Sequence, residues 1–472
     1  NKDIYKYIAL GTTGLQLILT AFLYMNFDSS LSVTDSPFTV QFDWIPSFNI
    51  QYFVGIDGLS MPMVLLTALL SFLCIAISWD VNKNVLGYFS LFLLLDAGMM
   101  GVFLSFDFFL FYIFWEVMLL PMYFLIGMWG GPQRHYAAIK FFLYTLFGSV
   151  FMLLGMLALY FYAPGGNSFN LITLINQAPQ IEATLWGFDM RFLIWIALFI
   201  GFAIKVPVFP FHTWLPDAHT DAPTAVSVIL AGVLLKMGGY GIIRTCITML
   251  PDQAKDFDVA FAAIGATSVL YGAFVTFRQT DIKRLIAYSS VSHMGLVLLG
   301  ISSLGVTGLV GATYQMLAHG LITGMLFVVI GLMYDRTHTR EISRLGGLAR
   351  QMPLLATGLV FAGFASIGLP SLAGFVAEIT IFLGAFQAFE WAVLMAIFGA
   401  VLSAGYILWT LQRVVFGPPR DEWDSLTDQN HWWEHIPILG LAALIVLLGV
   451  YPAIITDMLN PTLEFVVERF TI

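Results

Sequence analysis

Charged residues are scarce in this sequence. Only 10% of its 472 residues are Asp, Glu, Lys or Arg, while 59% are hydrophobic. A soluble globular protein carries about 25% charged residues, so this chain has too few to cover a water-facing surface. The composition therefore excludes a soluble enzyme, a nucleic-acid-binding protein and a disordered scaffold, and it predicts a protein that crosses the membrane many times.

Cysteine is nearly absent, and nucleotide-binding motifs are missing. The two cysteines, Cys74 and Cys246, lie in separate apolar segments and form neither a CxxC pair nor an iron–sulfur spacing. The sequence contains no GxGxxG and no GxxxxGK, the usual cradles of nucleotide phosphates. Any redox or hydrolytic chemistry is therefore expected on another chain, and no cofactor or metal is expected on this one.

Long apolar segments make up most of the chain instead. A helix needs about 20 residues to cross the hydrocarbon layer, and breaks rich in charge, Pro, Gly or Asn separate roughly 13 or 14 such segments. The segments are apolar on every face rather than alternating, which excludes a transmembrane barrel. We therefore predict an all-α polytopic membrane protein.

The distribution of Lys and Arg predicts how the spans are oriented. If the N-terminus lies inside and successive spans alternate, most of these residues collect inside, as the positive-inside rule requires. Those that fall outside are Arg191, Arg244, Lys255 and Arg469. Residues 26–57 carry several Asp but no Lys or Arg, and this segment is predicted to be an external loop.

Two spans are interrupted by proline at membrane depth. Pro207, Pro210 and Pro216 interrupt one span, and Pro370 interrupts another. Interruptions at corresponding positions of two halves indicate an ion or substrate site between inverted repeats. The two breaks lie five spans apart, so we predict two inverted five-helix repeats with discontinuous helices near Pro207 and Pro370.

The same pattern divides the chain into four parts. Residues 1–84 are predicted to form N-terminal helices and the external loop, and residues 85–249 the first repeat. Residues 256–416 are predicted to form the second, inverted repeat, and residues 417–472 an internal loop and a C-terminal helix.

Ionisable residues stand within these apolar spans. A charged side chain near the bilayer centre costs about 3 kcal/mol on insertion scales, so its presence indicates a function. Acids, lysines and histidines in a row suit a lateral relay of protons or, as a weaker alternative, of Na⁺. Static ion pairs that lock helices together are the structural alternative. The six residues of this predicted relay are Glu116, Lys205, Lys236, His293, His319 and Glu378.

Five polar residues are secondary candidates, namely Lys140, His212, Asp217, His219 and Asp96. The segment from His212 to Asp221 fits no standard zinc spacing. It is predicted to be a hydrated connector at the mouth of the path, with metal binding and simple packing as alternatives. Lys140 lies one turn into its helix and can reach the interface. Asp96 either belongs to the polar network or faces a water-filled crevice.

Five motifs resemble a known family. They begin at Trp115 (WEVMLLPMYFLIGMWGG), Lys205 (KVPVFPFHTWLPDAH), Leu230 (LAGVLLKMG), Ala287 (AYSSVSHMG) and Gly374 (GFVAE). Together they strongly resemble the antiporter-like subunits of respiratory complex I, over a stretch from about Asp43 to past Arg413.

The resemblance implies a fold of 14 helices with two inverted five-helix repeats and a central hydrophilic axis. The first family helix would then lie outside this numbering, which begins at Asn1 rather than Met. Glu116 and Lys205 match the modulating pair of the family, and Lys236 matches its central lysine. His293 and His319 match its second-half relay positions. Asp96 matches no family position.

Glu378 matches the terminal residue that exchanges protons with the outside. Its acidic side chain is typical of one branch of the family, because the sister branches carry Lys there. The resemblance thus implies a proton-translocating membrane-arm subunit of an NADH:quinone oxidoreductase. A multisubunit Na⁺/H⁺ antiporter, a membrane-bound hydrogenase-type complex and a purely structural spacer are the alternatives.

The resemblance also implies the surroundings of the chain. NADH, FMN, iron–sulfur clusters and quinone are expected on other subunits. The expected partners are other membrane-arm subunits, including two sister antiporter-like subunits, and lipids, but no nucleic acid. The expected location is the bacterial inner membrane, with several passes.

Overall fold

The N-terminal part of the protein contains two helices and a hairpin. In the computed structural model, which describes residues 3–428 and 431–470, these helices are α1 (Asp3–Met25) and α2 (Ser60–Ile77). The predicted external loop between them forms an antiparallel hairpin of β1 (Val40–Ile45) and β2 (Ile50–Val54). The hairpin turns through a short 3₁₀ helix, Pro46–Phe48.

The segment predicted to be the first repeat contains five helices of ten residues or more and several short elements. Asp107 begins α4, because its side chain accepts hydrogen bonds from the main-chain N–H groups of Phe109 and Leu110. In chain order, the elements are α3 (Val85–Leu104), α4 (Phe108–Val117), α5 (Leu119–Trp129), α6 (Arg134–Tyr162), α7 (Leu171–Gln177), the 3₁₀ helix Ala178–Gln180, β3 (Thr184–Leu185), β4 (Phe188–Asp189), α8 (Met190–Lys205), α9 (Trp214–Asp221), α10 (Thr224–Ile229) and α11 (Leu235–Gly241).

Two π-helical segments, Leu230–Leu234 and Ile242–Ile247, flank α11. They join α10 and α11 into one span, Thr224–Ile247, that is wholly buried over its most apolar window. Single π turns inside an α-helix are frequent at functional sites.

The remaining helices follow in the segment predicted to be the second repeat and in the C-terminal part. The central one, α15, is 32 residues long and is wholly buried over its most apolar window. These helices are α12 (Pro251–Asp256), α13 (Asp258–Phe277), α14 (Ile282–Ser302), α15 (Val306–Thr337), α16 (Leu348–Gln351), α17 (Pro353–Ser366), α18 (Ala373–Phe386), α19 (Glu390–Val414), the 3₁₀ helix Asp421–Trp423, α20 (Trp432–Val450) and α21 (Ala453–Glu468).

The prediction of an all-α polytopic membrane protein is confirmed. Within the described residues, eleven helices are long and apolar enough to cross a membrane. The two interrupted helices raise the number of crossings to thirteen, which agrees with the 13 or 14 segments seen in the sequence. One interruption separates α8 from α9 around Pro207, and the other separates α17 from α18 around Pro370.

The C-terminal part differs from the prediction of a single helix. It contains two helices, α20 and α21, which are separated at Tyr451 and Pro452. Proline removes a main-chain donor and clashes with the preceding turn, which ends α20 at Val450.

Two buried ion pairs tie separate parts of the chain together. Arg244 Nη1 lies 2.6 Å from Asp57 Oδ2, which joins the end of the outer segment to the span that contains α11. Arg336 Nη2 lies 2.6 Å from Glu434 Oε2, which joins α15 to α20. Loss of one partner of a buried pair leaves an uncompensated charge, so both pairs are expected to matter for stability.

The first prediction concerns the pair in the outer segment. Asp57→Asn removes the countercharge of Arg244, and we expect it to destabilise the folded chain by about 3 kcal/mol. Thermal unfolding of the purified protein in detergent would show the change as a lower midpoint. The control is Asp43→Asn in the same segment, because Asp43 is exposed and only accepts a hydrogen bond from Gln51. Equal midpoints for the two variants would contradict the prediction.

Candidate functional site

The first helix break places Lys205 in an aromatic setting. Lys205 is the last residue of α8 and is 1% exposed. Its Nζ lies 5.3 Å from the centroid of the Trp115 ring and 5.6 Å from that of Phe141. Among the described residues, Nζ has no hydrogen-bond partner. Aromatic faces and the negative end of the α8 dipole therefore provide the favourable contacts of this cation.

Glu116 lies next to Trp115 on α4, near this lysine. It is half-buried, and its Oε1 has no hydrogen-bond partner in the described part of the chain. Glu116 interacts electrostatically with Lys205, yet no described contact within 4.0 Å joins the two. The carboxylate and the ammonium are therefore close enough to influence each other without forming a contact ion pair.

Lys236 occupies the centre of the buried span that contains α11. It is fully buried, and its Nζ donates to the carbonyl of Ala231, a residue of the first π segment. Nζ also lies 2.7 Å from His319 Nδ1 on α15. The π segment thus supplies a main-chain acceptor, and the contact with His319 joins the two predicted repeats.

Close packing brings the two lysine-bearing helices together. A Cβ atom at Gly238, two residues after Lys236, would lie 2.7 Å from the carbonyl oxygen of Phe202 on α8. A Cβ at Gly241 would lie 2.2 Å from the Phe202 ring. Only glycine permits α8 and α11 to approach so closely. Lys205 on α8 and Lys236 on α11 therefore lie on neighbouring helices.

His293 connects His319 with the second helix break. The two imidazole rings lie 5.5 Å apart between centroids. His293 Nε2 lies 3.1 Å from the carbonyl oxygen of Ser366, the last residue of α17, and 3.8 Å from Glu378 Oε1. Because the break ends α17 at Ser366, its carbonyl is free to receive the imidazole.

Glu378 lies on α18, directly against the break. Gly368 adopts a φ of +72°, and a Cβ atom there would lie 2.7 Å from Glu378 Oε2. The missing side chain at Gly368 therefore makes room for the carboxylate. The structure brings Lys236, His319, His293 and Glu378 into one continuous row, with Lys205 and Glu116 beyond its first-repeat end.

Among the secondary candidates, Lys140 and Asp217 form an ion pair. Lys140 Nζ lies 2.7 Å from Asp217 Oδ2, and Arg284 Nη1 lies 3.3 Å from Asp217 Oδ1. Asp217 therefore bridges α6 of the first predicted repeat and α14 of the second. Arg284 was not among the predicted site residues, because its position near a helix start resembles an ordinary interfacial arginine.

The two histidines of the connector have different surroundings. His219 is fully buried and stacks on Phe327 with a centroid distance of 4.7 Å. Both of its ring nitrogens are without a hydrogen-bond partner in the described residues, and it interacts electrostatically with Lys236 and Lys283. The His212 ring packs against Phe209 and Tyr271, and His212 interacts electrostatically with Lys140. Over residues 3–428 and 431–470, no group of three His, Cys, Asp or Glu side chains could hold a metal ion.

Asp96 lies away from the row, among the first three helices. Its Oδ1 accepts hydrogen bonds from Ser71 Oγ at 2.5 Å and from Gln16 Nε2 at 3.3 Å. It therefore belongs to a separate polar cluster of α1, α2 and α3.

A polar cavity on the predicted inside was not apparent from the sequence. It measures about 510 Å³, and its charged lining residues are Asp80, Asp221, Lys283, Asp335 and Arg340. Lys283 is buried and donates to the carbonyl of Ala222. Lys283 is the second residue of α14, and only the folded arrangement shows that it faces the cavity.

Comparison with known proteins shows which family the chain resembles. Residues 105–403, more than half of the chain, match the family model described as "NADH:quinone oxidoreductase/Mrp antiporter, TM". NADH-quinone oxidoreductase subunit M of Rhodobacter capsulatus is 42% identical over 98% of this chain and 91% of the relative. The chain belongs to this family. The predicted resemblance to antiporter-like complex I subunits is therefore confirmed.

Solved structures agree with the assignment. A chain of respiratory complex I from Thermus thermophilus has a TM-score of 0.89 and 30% identity, over 98% of this chain and 95% of that one. A chain of the Mrp complex from Dietzia has a TM-score of 0.84 but 21% identity, over 100% of this chain and 94% of that one. The second likeness shows the fold alone. At the family level, a proton-translocating membrane-arm subunit of an NADH:quinone oxidoreductase is confirmed.

The second prediction concerns Gly368. In Gly368→Ala, the new Cβ would meet the Glu378 carboxylate, and the φ of +72° would be strained for alanine. We expect Glu378 to be displaced and proton pumping by the assembled enzyme to fall on the order of tenfold. The measurement is NADH-driven acidification of sealed vesicles.

Gly324→Ala on α15 is the control, because its Cβ would make only an ordinary contact, 3.4 Å from Leu70. Equal pumping by the Gly368 and Gly324 variants would show that Gly368 is not needed to hold the Glu378 carboxylate in place.

Proposed function

We propose that the buried row carries protons across this subunit while electrons pass from NADH to quinone elsewhere in the complex. The row consists of Glu116, Lys205, Lys236, His319, His293 and Glu378. The observation that supports the proposal is that four members of the row follow one another without a gap. Lys236 Nζ lies 2.7 Å from His319 Nδ1, and the rings of His319 and His293 lie 5.5 Å apart between centroids. His293 Nε2 lies 3.8 Å from Glu378 Oε1.

Uptake of protons starts at the polar cavity on the predicted inside. The cavity is lined by charged groups, among them Asp221 and Lys283, and is large enough for many water molecules. His219 lies two residues before Asp221 and interacts electrostatically with both Lys283 and Lys236. A neutral imidazole can accept a proton at one nitrogen and release one from the other, so His219 links the cavity to Lys236.

The pair of Glu116 and Lys205 sets the proton affinity of the row. Glu116 is half-buried and not in contact with Lys205. Coulomb energies between unit charges change steeply with distance in a poorly polarisable interior. A change of charge in a neighbouring subunit that moves Glu116 relative to Lys205 therefore changes how strongly this lysine repels a proton on Lys236.

The row ends at Glu378, from which protons leave towards the outside. The Glu378 carboxylate lies in the first half of α18, the helix that follows the break. Gly368, Ser366 and His293 are its neighbours there. Its position at the far end of the row supports the role of terminal donor.

This chain performs no redox chemistry itself. An iron–sulfur cluster needs four ligands, usually cysteines, and Cys74 and Cys246 are buried on separate helices. NADH, FMN, iron–sulfur clusters and quinone are bound by other subunits. The partners of the chain are other membrane-arm subunits, including two sister antiporter-like subunits, and lipids. The acidic Glu378 fits the subunit M branch, and the complex lies in a bacterial inner membrane.

A multisubunit Na⁺/H⁺ antiporter is the second candidate, favoured only by the shared fold of the Mrp complex chain. It predicts sodium-dependent exchange of protons in vesicles without NADH or quinone. NADH-driven pumping that does not change when Na⁺ is replaced by K⁺ would contradict this candidate.

The third prediction tests the proposed row. Glu116→Gln and Lys236→Met remove one charge each while keeping the approximate volume. We expect the assembled complex to lose pumping on the order of tenfold or more, with slower electron transfer, because a proton-transfer group is missing. Pumping is measured with NADH and a soluble quinone in sealed vesicles.

Asp96→Asn is the matched control. It neutralises a buried carboxyl at membrane depth that contacts Ser71 and Gln16 but no member of the row. We expect this variant to pump like the wild type. If Glu116→Gln and Lys236→Met pump normally in a fully assembled complex, the row carries no protons and its charges serve packing alone.

A further inference from the structure

Two buried polar atoms in the middle of α15 have no hydrogen-bond partner in the described part of the protein. They are Gln315 Oε1 and His319 Nε2. The two residues are 2% and 3% exposed. They are separated by one helical turn, so both lie on the same face of α15. Buried polar atoms are rarely left unpaired, which means that this face is built to receive a partner.

Both residues line a small cavity beside the second helix break. Its other polar lining residues are His293, Thr323, Ser366 and Glu378. The cavity has room for about one water molecule. Small buried cavities with several polar partners are the places where proteins hold structural water.

One of the two atoms is a hydrogen-bond donor and the other is an acceptor, so a single water molecule can bind to both. Lys236 Nζ lies 2.7 Å from His319 Nδ1. A protonated lysine can only donate, so Nδ1 accepts, and the proton of a neutral His319 ring resides on Nε2. The amide oxygen of Gln315 can only accept. A water molecule that accepts from Nε2–H and donates to Gln315 Oε1 satisfies both atoms.

We propose that Gln315 is a positioning residue that binds one water molecule between His319 and Glu378, and that this water carries the proton across the second helix break. The proposal rests on the proposed function of the row. Because one hydrogen of the water is held by Gln315 Oε1, the other points towards the opposite polar wall, where His293 Nε2 and Glu378 Oε1 lie 3.8 Å apart.

The transfer balances in protons. His319 Nδ1 receives a proton from the Lys236 ammonium, and the Nε2–H bond breaks as that proton passes to the water oxygen. The water releases its other proton to His293 Nε2, and His293 passes it on to the Glu378 carboxylate 3.8 Å away and returns to its neutral form. Lys236 is left neutral, Glu378 becomes a carboxylic acid, and both His319 and the water end neutral. No oxidant or reductant is involved.

The fourth prediction tests Gln315 through the variant Gln315→Leu. Leucine keeps approximately the same volume but removes the acceptor. In a high-resolution cryo-electron microscopy map of the assembled complex, we expect water density within hydrogen-bond distance of Gln315 Oε1 and His319 Nε2. We expect the density to be missing in the variant. The rate of pumping is expected to fall about fivefold to tenfold, the effect of one lost hydrogen bond on the rate of a transfer step.

Thr313→Val on the same helix is the matched control. Thr313 is fully buried, and its hydroxyl donates to the carbonyl of Leu309 rather than lining the cavity. This variant loses one polar group at similar depth and is expected to keep both the water and the pumping. If Gln315→Leu does not assemble, Gln315→Met serves as a second variant without the amide.

The outcomes separate this inference from the proposed function. A wild-type map without water at this position, or normal pumping by the Gln315 variant, overturns the role of Gln315. If the role of Gln315 is overturned but Lys236→Met still fails to pump, the proposed function of the row is supported. If pumping persists in Lys236→Met, the proposed function fails as well.

Discussion

Hydrocarbon offers no hydrogen-bond partner to an ionised side chain, and the arrangement of this protein depends on that constraint. Two buried ionisable residues of the row contact main-chain carbonyls at places where the helical pattern is irregular. The π segment before α11 lets the carbonyl of Ala231 accept from Lys236, and the break after α17 leaves the carbonyl of Ser366 to face His293. At these two places, the irregular backbone therefore provides the hydrogen-bond acceptor that the buried side chain would not find in hydrocarbon.

The contacts differ in strength along the row, and the difference fits the proposed roles. Lys236 and His293 have short polar contacts, so the central part is fixed in place. Among the described residues, Lys205 Nζ instead has no hydrogen-bond partner and lies near aromatic rings, and Glu116 interacts with it from a distance. A loosely held pair at one end is suited to respond to a neighbouring subunit, whereas a rigid centre is suited to transfer protons with small movements.

The sequence alone was sufficient for the fold class, the two interruptions and the family, because charges and prolines within apolar segments are visible without coordinates. Contacts between helices were not predictable, because they depend on how each helix is rotated in the bundle. Asp217 could not be paired with Lys140 and Arg284, nor Gln315 with His319, from spacing alone. Asp96 and Glu116 are both acidic residues within apolar segments, yet Asp96 lies in a separate cluster. The repeat boundaries remain predictions.

The most direct test of the account is to detect a proton on Glu378 during turnover. Infrared difference spectroscopy of the assembled complex, with and without NADH and quinone, reports the carbonyl stretch of a protonated carboxylic acid. The account predicts a change in this band that is missing in Glu378→Gln and retained in Asp96→Asn. A spectrum that is the same in wild type and Glu378→Gln would show that Glu378 does not change protonation, which would contradict the account.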